Sequence, residues 1–301
     1  MTDHDDLPTL EQDDDLAEPL RRVSYEAGMM LGLEATRDEQ AYHRRRLNRH
    51  QYWLHGFGTV AGLHVRLEPE SHENDTDTVN VHIHVTPGIA LDGLGREVLV
   101  HETYCIDLQE WLDAQTEATL AEGFALADEQ LWLKVTLRHR DCPIARQPVL
   151  SRKLNLSTDP VQPSRTADSV YLELIPELPP ATETRFTPWG SHTPISDAEP
   201  TLTDDENTYL NNVEGTSTEM AERLRLHSRC LRGLDARGVA TENVSDELEK
   251  GARVLLARLR INTNTLTDIL VNPERIGVNN LVRPFVVTAS QLAWLRDHSS
   301  D

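Results

Sequence analysis

The chain has 301 residues and a formal charge of −21, from 29 Lys and Arg against 50 Asp and Glu; 38% of residues are hydrophobic and 5% aromatic. A chain of this length buries a core without disulfides or metals, and the composition is that of a globular protein with polar segments. The acidic excess repels phosphate backbones and anionic headgroups, and no run of about eighteen apolar residues occurs, so neither nucleic acid nor a membrane span is expected.

Residues 1–22 open MTDHDDLPTLEQDDD, with no basic segment leading into an apolar one, so no secretory leader is expected and the protein is placed in the cytoplasm. Up to about residue 18 the chain carries Asp3, Asp5, Asp6, Glu11, Asp13, Asp14, Asp15 and Glu18 without Lys or Arg. Such a like-charge block predicts a disordered acidic tail, either solvated and idle or docked on a basic partner surface. Cys105, Cys142 and Cys230 have neither the spacing of a disulfide framework nor that of a zinc knuckle, which suits reduced thiols.

Thr36 with Glu39 forms a capping pair that predicts a helix over 37–54, stopped by Gly56 and Gly58. This helix carries Arg44, Arg45, Arg46, Arg49 and His50 among Tyr42, Tyr52 and Trp53. Arginines at consecutive helical positions point around most of the circumference. They are therefore read as partners of this protein's own carboxylates or of a neighbouring subunit, ahead of a solvated face or nucleic acid. Arg44, Arg45, Arg46, Arg49 and Trp53 are the interface candidates.

Leu63, Val65 and Leu67 alternate with polar residues as in a half-buried strand, and EPESHENDTD follows as a surface loop. In VNVHIHVT, Val79, Val81, Ile83 and Val85 share one face and leave His82 and His84 on the other. Two imidazoles on one strand face are a weak metal candidate, because further ligands must come from His64, His72 or Asp92. No metal or cofactor is predicted. Pro87 and Gly88 turn the chain, and Asp92, Gly93 and Gly95 supply a tight hairpin between IALD and REVLV. A short helix over 108–120 precedes the alternating LWLKVTLRH, and VYLELIP adds a strand near 170–175.

Residues 23–180 thus read as a mostly antiparallel β domain, sandwich or barrel-like, preceded by a helix. Residues 181–215 are rich in Pro, Thr, Ser, Asp and Glu and read as a polar linker or long loop. Residues 216–301 read as helical. Met220, Leu224, His227, Leu231 and Leu234 recur at helical spacing, Leu248, Ala252, Leu255, Leu256 and Leu259 do so behind Ser245, and Thr288 with Gln291 caps a terminal helix. The fold class expected is α+β.

Chemistry-bearing motifs are missing. There is no GxSxG elbow and no phosphate loop; DGLGR lacks the third glycine of a dinucleotide fingerprint, and HENDTDTVN lacks the glycine and final glutamate of a calcium loop. Cys142 and His139, three apart on a strand, fall on opposite faces. The chain is read as not an enzyme.

The blocks EQAYHRRRLNRHQYWLHGFGTVAGLHV, HIHVTPGIALDGLGREVLV, RHRDCPIARQPV and QPSRTADSVYLELIP occur in that order. Over about residues 23–178 this succession resembles an uncharacterised family associated with phage-tail-like loci, notably those of extracellular contractile injection systems. The resemblance implies a structural or accessory component of a contractile particle, at its baseplate or fibre end, with other subunits as partners and no catalytic residues. Gly56, Gly58, Pro87, Gly88, Asp92, Gly93, Gly95, Pro163 and Ser164 then serve as turn and fold residues, and Arg96 and Arg165 as braces of loops. The alternatives are a glycan- or ligand-binding β module and, behind it, a metal-dependent enzyme using His82 and His84.

Overall fold

The computed structural model describes residues 22–71, 79–148, 161–181, 203–219, 222, 226, 251–267, 269 and 271–298. The chain divides into one unit of Met1–Phe186 with Ala252–Asp301 and a second of Thr187–Gly251. The fold is α+β with antiparallel sheets, a helix in front and a helix near the end.

The first unit begins with helix α1 (Leu33–His55). Its start is Gly32 and not the expected Thr36/Glu39 box: Thr36 Oγ1 turns back to donate to Gly32 O at 3.3 Å, and Glu39 Oε2 accepts from Val23 N at 2.9 Å. Gly56 does end the helix, at φ 79°. Gly58 instead opens strand β1 (Gly58–Gly62), where a side chain would meet the Pro284 and Phe285 backbone at 2.6–2.7 Å.

Strands β1, β4 (Gly88–Leu91) and β5 (Glu97–Val100) form one sheet, and β2 (Val65–Ser71), β3 (Val79–Val85) and β6 (Tyr104–Asp107) a second. β2 runs through residues 68–71, the first four of the ten residues of the expected loop; His72 and the rest of that loop lie outside the described residues. The Pro87/Gly88 turn and the β4–β5 hairpin form as expected, with Gly95 and not Gly93 carrying the positive φ, 78°. The helix expected over 108–120 is two, α2 (Leu108–Asp113) and α3 (Glu117–Ala121), each capped by its own side chain, Asp107 and Thr116.

The third sheet contains β7 (Phe124–Ala125), β8 (Gln130–Pro148), β9 (Val161–Pro176), β10 (Arg253–Asn262) and β11 (Ile276–Asn279). β10 corrects the second expected C-terminal helix: residues 253–262 are a strand between β8 and β11. The register shifts between Leu255 and Ala257, and around this bulge Val254, Leu256, Ala257, Arg258, Leu259 and Ile261 are all buried. The extra residue breaks the strict alternation that marks a strand, so the apolar run is easily read as helical when the bulge is not known. Met220, Leu224, His227, Leu231 and Leu234 lie outside the described residues.

All three sheets and α2 meet in one core, in which Leu63, Ile83, Leu108, Leu131, Leu133, Leu137, Leu256, Leu259 and Ile261 are fully buried. Two side-chain amides stitch the returning 269–280 segment to this core by imitating peptide groups. Asn280 bonds both Val65 N (3.1 Å) and Val65 O (2.9 Å), and Gln109 bonds Ile269 O and Val271 N, both at 3.2 Å. Arg258, nearly buried on β10, donates to Glu177 O at 3.2 Å and Glu177 Oε1 at 3.1 Å, while Lys134 on β8 pairs with the other carboxylate oxygen. Burial pushes the Glu177 carboxyl up, but Lys134 and Arg258 outweigh it and hold it below its usual 4.5.

In the second unit, helix α4 (Asp204–Val213) occupies part of the expected linker. Thr203 Oγ1 accepts from Glu206 N at 3.4 Å and Glu206 Oε2 accepts from Thr203 N at 2.9 Å, a capping box inside a stretch read as loop because it lacks an apolar period. Back in the first unit, helix α5 (Ala289–His298) starts at the expected pair, with Thr288 N donating to Gln291 Oε1 at 2.8 Å and Gln291 N to Thr288 Oγ1 at 3.3 Å. Residues 1–21 of the expected tail and 182–202 of the expected linker lie outside the described residues, as does Cys230. Among the described residues, no helix is long and apolar enough to cross a membrane.

Candidate functional site

Strand β8 is bordered by β10 only as far as the pair Arg253↔Arg138. Beyond that point it continues with β9 alone, through Asp141↔Asp168 and Ile144↔Arg165 to Pro148↔Val161. Among the described residues, 139–148 and 161–170 are therefore a two-stranded extension of the sheet, a ribbon paired only with itself. Residues 143–147 and 163–166 are exposed whichever face they occupy. Sequence reading stopped the first strand near His139 and began the second near Val170, so Pro163 and Ser164 lie inside β9 and not before it. The ribbon was missed because its tip, residues 143–147 and 163–166, is exposed on both faces and so shows no apolar alternation, although Val170 at its root packs against the core.

The two ribbon faces differ in chemistry. One continues the face of buried Leu137 with His139, Asp141 and, across the strands, Asp168. His139 Nε2 and Asp141 Oδ1 are 3.0 Å apart, and the ligating atoms of His139, Asp141 and Asp168 all lie within 4.8 Å of one another. The hydrogen bond with His139, helped by the charges of His139, Arg96 and Arg44, holds the Asp141 carboxyl below its usual 3.8 against the effect of burial.

Arg96 is aimed by its own hairpin. Asp92, fully buried, accepts from Leu94 N (2.9 Å), Arg96 N (2.8 Å) and Arg96 Nε (2.7 Å), so the turn expected at Asp92, Gly93 and Gly95 is also an ion pair. Burial pushes the Asp92 carboxyl up, opposed by the Arg96 charge and these bonds. Three potential ligands, one imidazole and two carboxylates, meet at His139, Asp141 and Asp168, but Arg96 and Arg44 place positive charge beside the carboxylate that a cation would need. The cluster reads as an ion-paired joint at the root of the ribbon. Cys142, on the other face, has no part in it.

A carboxyl held low contributes stability that is complete above its unfolded pKa and is lost as pH falls through the folded value. Wild type and Asp141→Asn should therefore differ most in urea melts above about pH 4 and converge below it. A gap unchanged at low pH would show that the joint contributes nothing through ionisation.

The other ribbon face carries Arg138, Arg140, Cys142 and Ile144 on β8, with Tyr171, Ser169, Ala167 and Arg165 opposite. Arg138 and Arg140 lie over the Tyr171 ring at 5.1 and 5.6 Å. Arg138 and Arg253 also pair with Glu173, at 3.3 and 3.0 Å. Arg165 braces no loop, as was expected of it; it is an exposed ribbon residue.

The other expected site residues lie apart from one another. His82 and His84 share a face of β3 with ring centroids 6.1 Å apart, and His84 Nε2 lies 3.2 Å from Glu68 Oε2, while Glu68 Oε1 pairs with Arg66. Asp92 is engaged with Arg96, and His64 sits before β2 with its carbonyl accepting from Thr86 N. Among the described residues the metal-ligand grouping involves neither His82 nor His84. On α1, Arg45 is buried, Arg49 is half-buried, Arg44 is exposed within the field of Asp141, and Arg46 donates to Tyr42 Oη at 3.0 Å. Trp53 sits on the same helix, its side chain outside those described. A cleft of about 670 Å³ lies between residues 22–25 and residues 39–46 of α1, with Arg22, His43 and Arg46 in its lining.

No family model and no curated protein matches the chain.

Proposed function

We propose that the chain is a non-enzymatic structural or accessory subunit of a phage-tail-like contractile particle, at its baseplate or fibre end, and that the β8–β9 ribbon is an arm by which it contacts other subunits. The observation that carries this reading is the ribbon itself. Among the described residues it prolongs two strands past β10 to a tip, residues 143–147 and 163–166, that is exposed on both faces, and a two-stranded ribbon by itself is at best marginally stable in water. A neighbouring subunit that covers the ribbon supplies the missing support.

Helix α1 favours the same reading. Of its described side chains only Ala41 and Arg45 are buried, while Leu33, Leu47 and Leu54 are more than half exposed. These leucines lie fourteen and seven residues apart, nearly whole numbers of turns, and so form one stripe. The kind of assembly proposed rests on the resemblance of the ordered sequence blocks to the uncharacterised family of contractile-particle loci.

Particles purified from cells that encode the chain, examined by mass spectrometry, are expected to contain it at a fixed ratio to sheath and tube subunits. Its absence from intact particles would end this reading.

A further inference from the structure

The arginine face of the ribbon stands out against a chain of charge −21. From Arg138 to Pro148 on β8, and from Val161 to Tyr171 on β9, that face holds Arg138, Arg140, Arg146 and Arg165 and no carboxylate. Arg146 pairs with Pro163 and Arg165 with Ile144, so the two arginines are diagonal neighbours. Both are exposed, and Ile144 between them is 46% exposed. Arg138 pairs with Glu173 just beyond this stretch, while at the exposed tip the like charges of Arg146 and Arg165 repel each other, a cost that a partner of opposite charge relieves.

The ribbon offers its faces better than its edges. Pro143, Pro148 and Pro163 supply no N–H, which thins the row of donors that an added strand would need. Recognition therefore falls to the side chains, and guanidinium groups select carboxylates in bidentate geometry.

The chain itself contains a matching partner. Residues 3–18 hold eight carboxylates and no Lys or Arg, so every further copy brings one such stretch for each arginine face. A nucleic acid offers anions too, but the remainder of this protein repels it.

We infer that the arginine face of the β8–β9 ribbon docks on the acidic stretch, residues 3–18, of a second copy of this chain. This rests on the reading of the chain as an assembly subunit and names one of the contacts. The contact joins two different surfaces, so repetition gives rings or open rows as well as pairs.

Sedimentation velocity of the full-length chain over a concentration series tests it, in about 0.05 M and about 0.5 M NaCl. The wild type is expected to associate at low salt and to separate at high salt. The full-length R146E/R165E variant, and its neutral counterpart R146Q/R165Q, should associate at least about tenfold more weakly. The same is expected of a full-length chain with Asp3, Asp5, Asp6, Asp13, Asp14 and Asp15 changed to asparagine. An equal mixture of R146E/R165E with the asparagine variant should recover association, because one supplies the acidic stretch and the other the arginine face. Circular dichroism confirms that each variant is folded.

A wild type that stays monomeric at every concentration overturns the inference. So does unchanged association of both arginine variants, or a mixture that recovers nothing. Binding of a short DNA duplex by the wild type, lost in R146E/R165E without any self-association, assigns the face to nucleic acid instead. Presence of the chain in purified particles is read separately, so monomeric protein in solution leaves the particle reading standing, and self-association without particles leaves this one standing.

Discussion

Leu259→Ala is expected to lower the unfolding free energy by about 3–4 kcal/mol, measured by urea denaturation at neutral pH. Leu259 lies on β10, opposite Leu133 of β8 on one side and Val278 of β11 on the other, and is fully buried. Strands border it on both sides, so the sheet has little freedom to close the cavity, and the lost transfer energy adds to the cost of the void. Leu126→Ala, at a leucine 75% exposed, is the control and should change stability by less than about 0.5 kcal/mol. Similar losses at the two positions would mean that residues 253–262 are not the inner strand of this sheet.

Gly62→Ala is the second large effect, expected at about 3 kcal/mol from backbone strain and overlap together. Gly62 has φ 66°, in the left-handed region where a Cβ is disfavoured. The added carbon would stand 2.0 Å from Pro87 O and 2.8 Å from Gly88 Cα. These are backbone atoms of the strand paired with it, Gly62↔Gly88, so no side chain can swing aside. Gly32→Ala, where nothing lies within 4 Å, provides the comparison and should cost about 1 kcal/mol or less. Equal melting temperatures for the two variants would show that the β1–β4 pair tolerates separation.

These residues also mark the limits of sequence reading. Val79, Val81, Ile83 and Val85 announced a strand because alternation of side-chain direction is a local property of extended backbone. The Asp92 to Gly95 turn and the Thr288/Gln291 cap were legible for the same reason: each bond closes within four residues. β10 was misread because one bulge residue changed the spacing of its buried side chains. Its neighbours β8 and β11 fix the register, but their identity is not written locally. Gly58 was taken as a helix stop because Pro284 and Phe285, which crowd it, are more than two hundred residues away.

The candidate site divides in the same manner. Asp141 lies two residues after His139, and that spacing alone puts the two on one face. Asp168 joins them only through the β8–β9 register, and Arg96 and Arg44 arrive from a hairpin and a helix that sequence separates from the ribbon by dozens of positions. Composition and local periodicity settled the acidic surface, the α+β class and most strand positions, since these depend on the chemistry of neighbouring residues. Which strands pair, where β8 and β9 outrun their sheet, and which charges face one another followed only from long-range packing, because burial in a shared core selects one register among many of similar local energy.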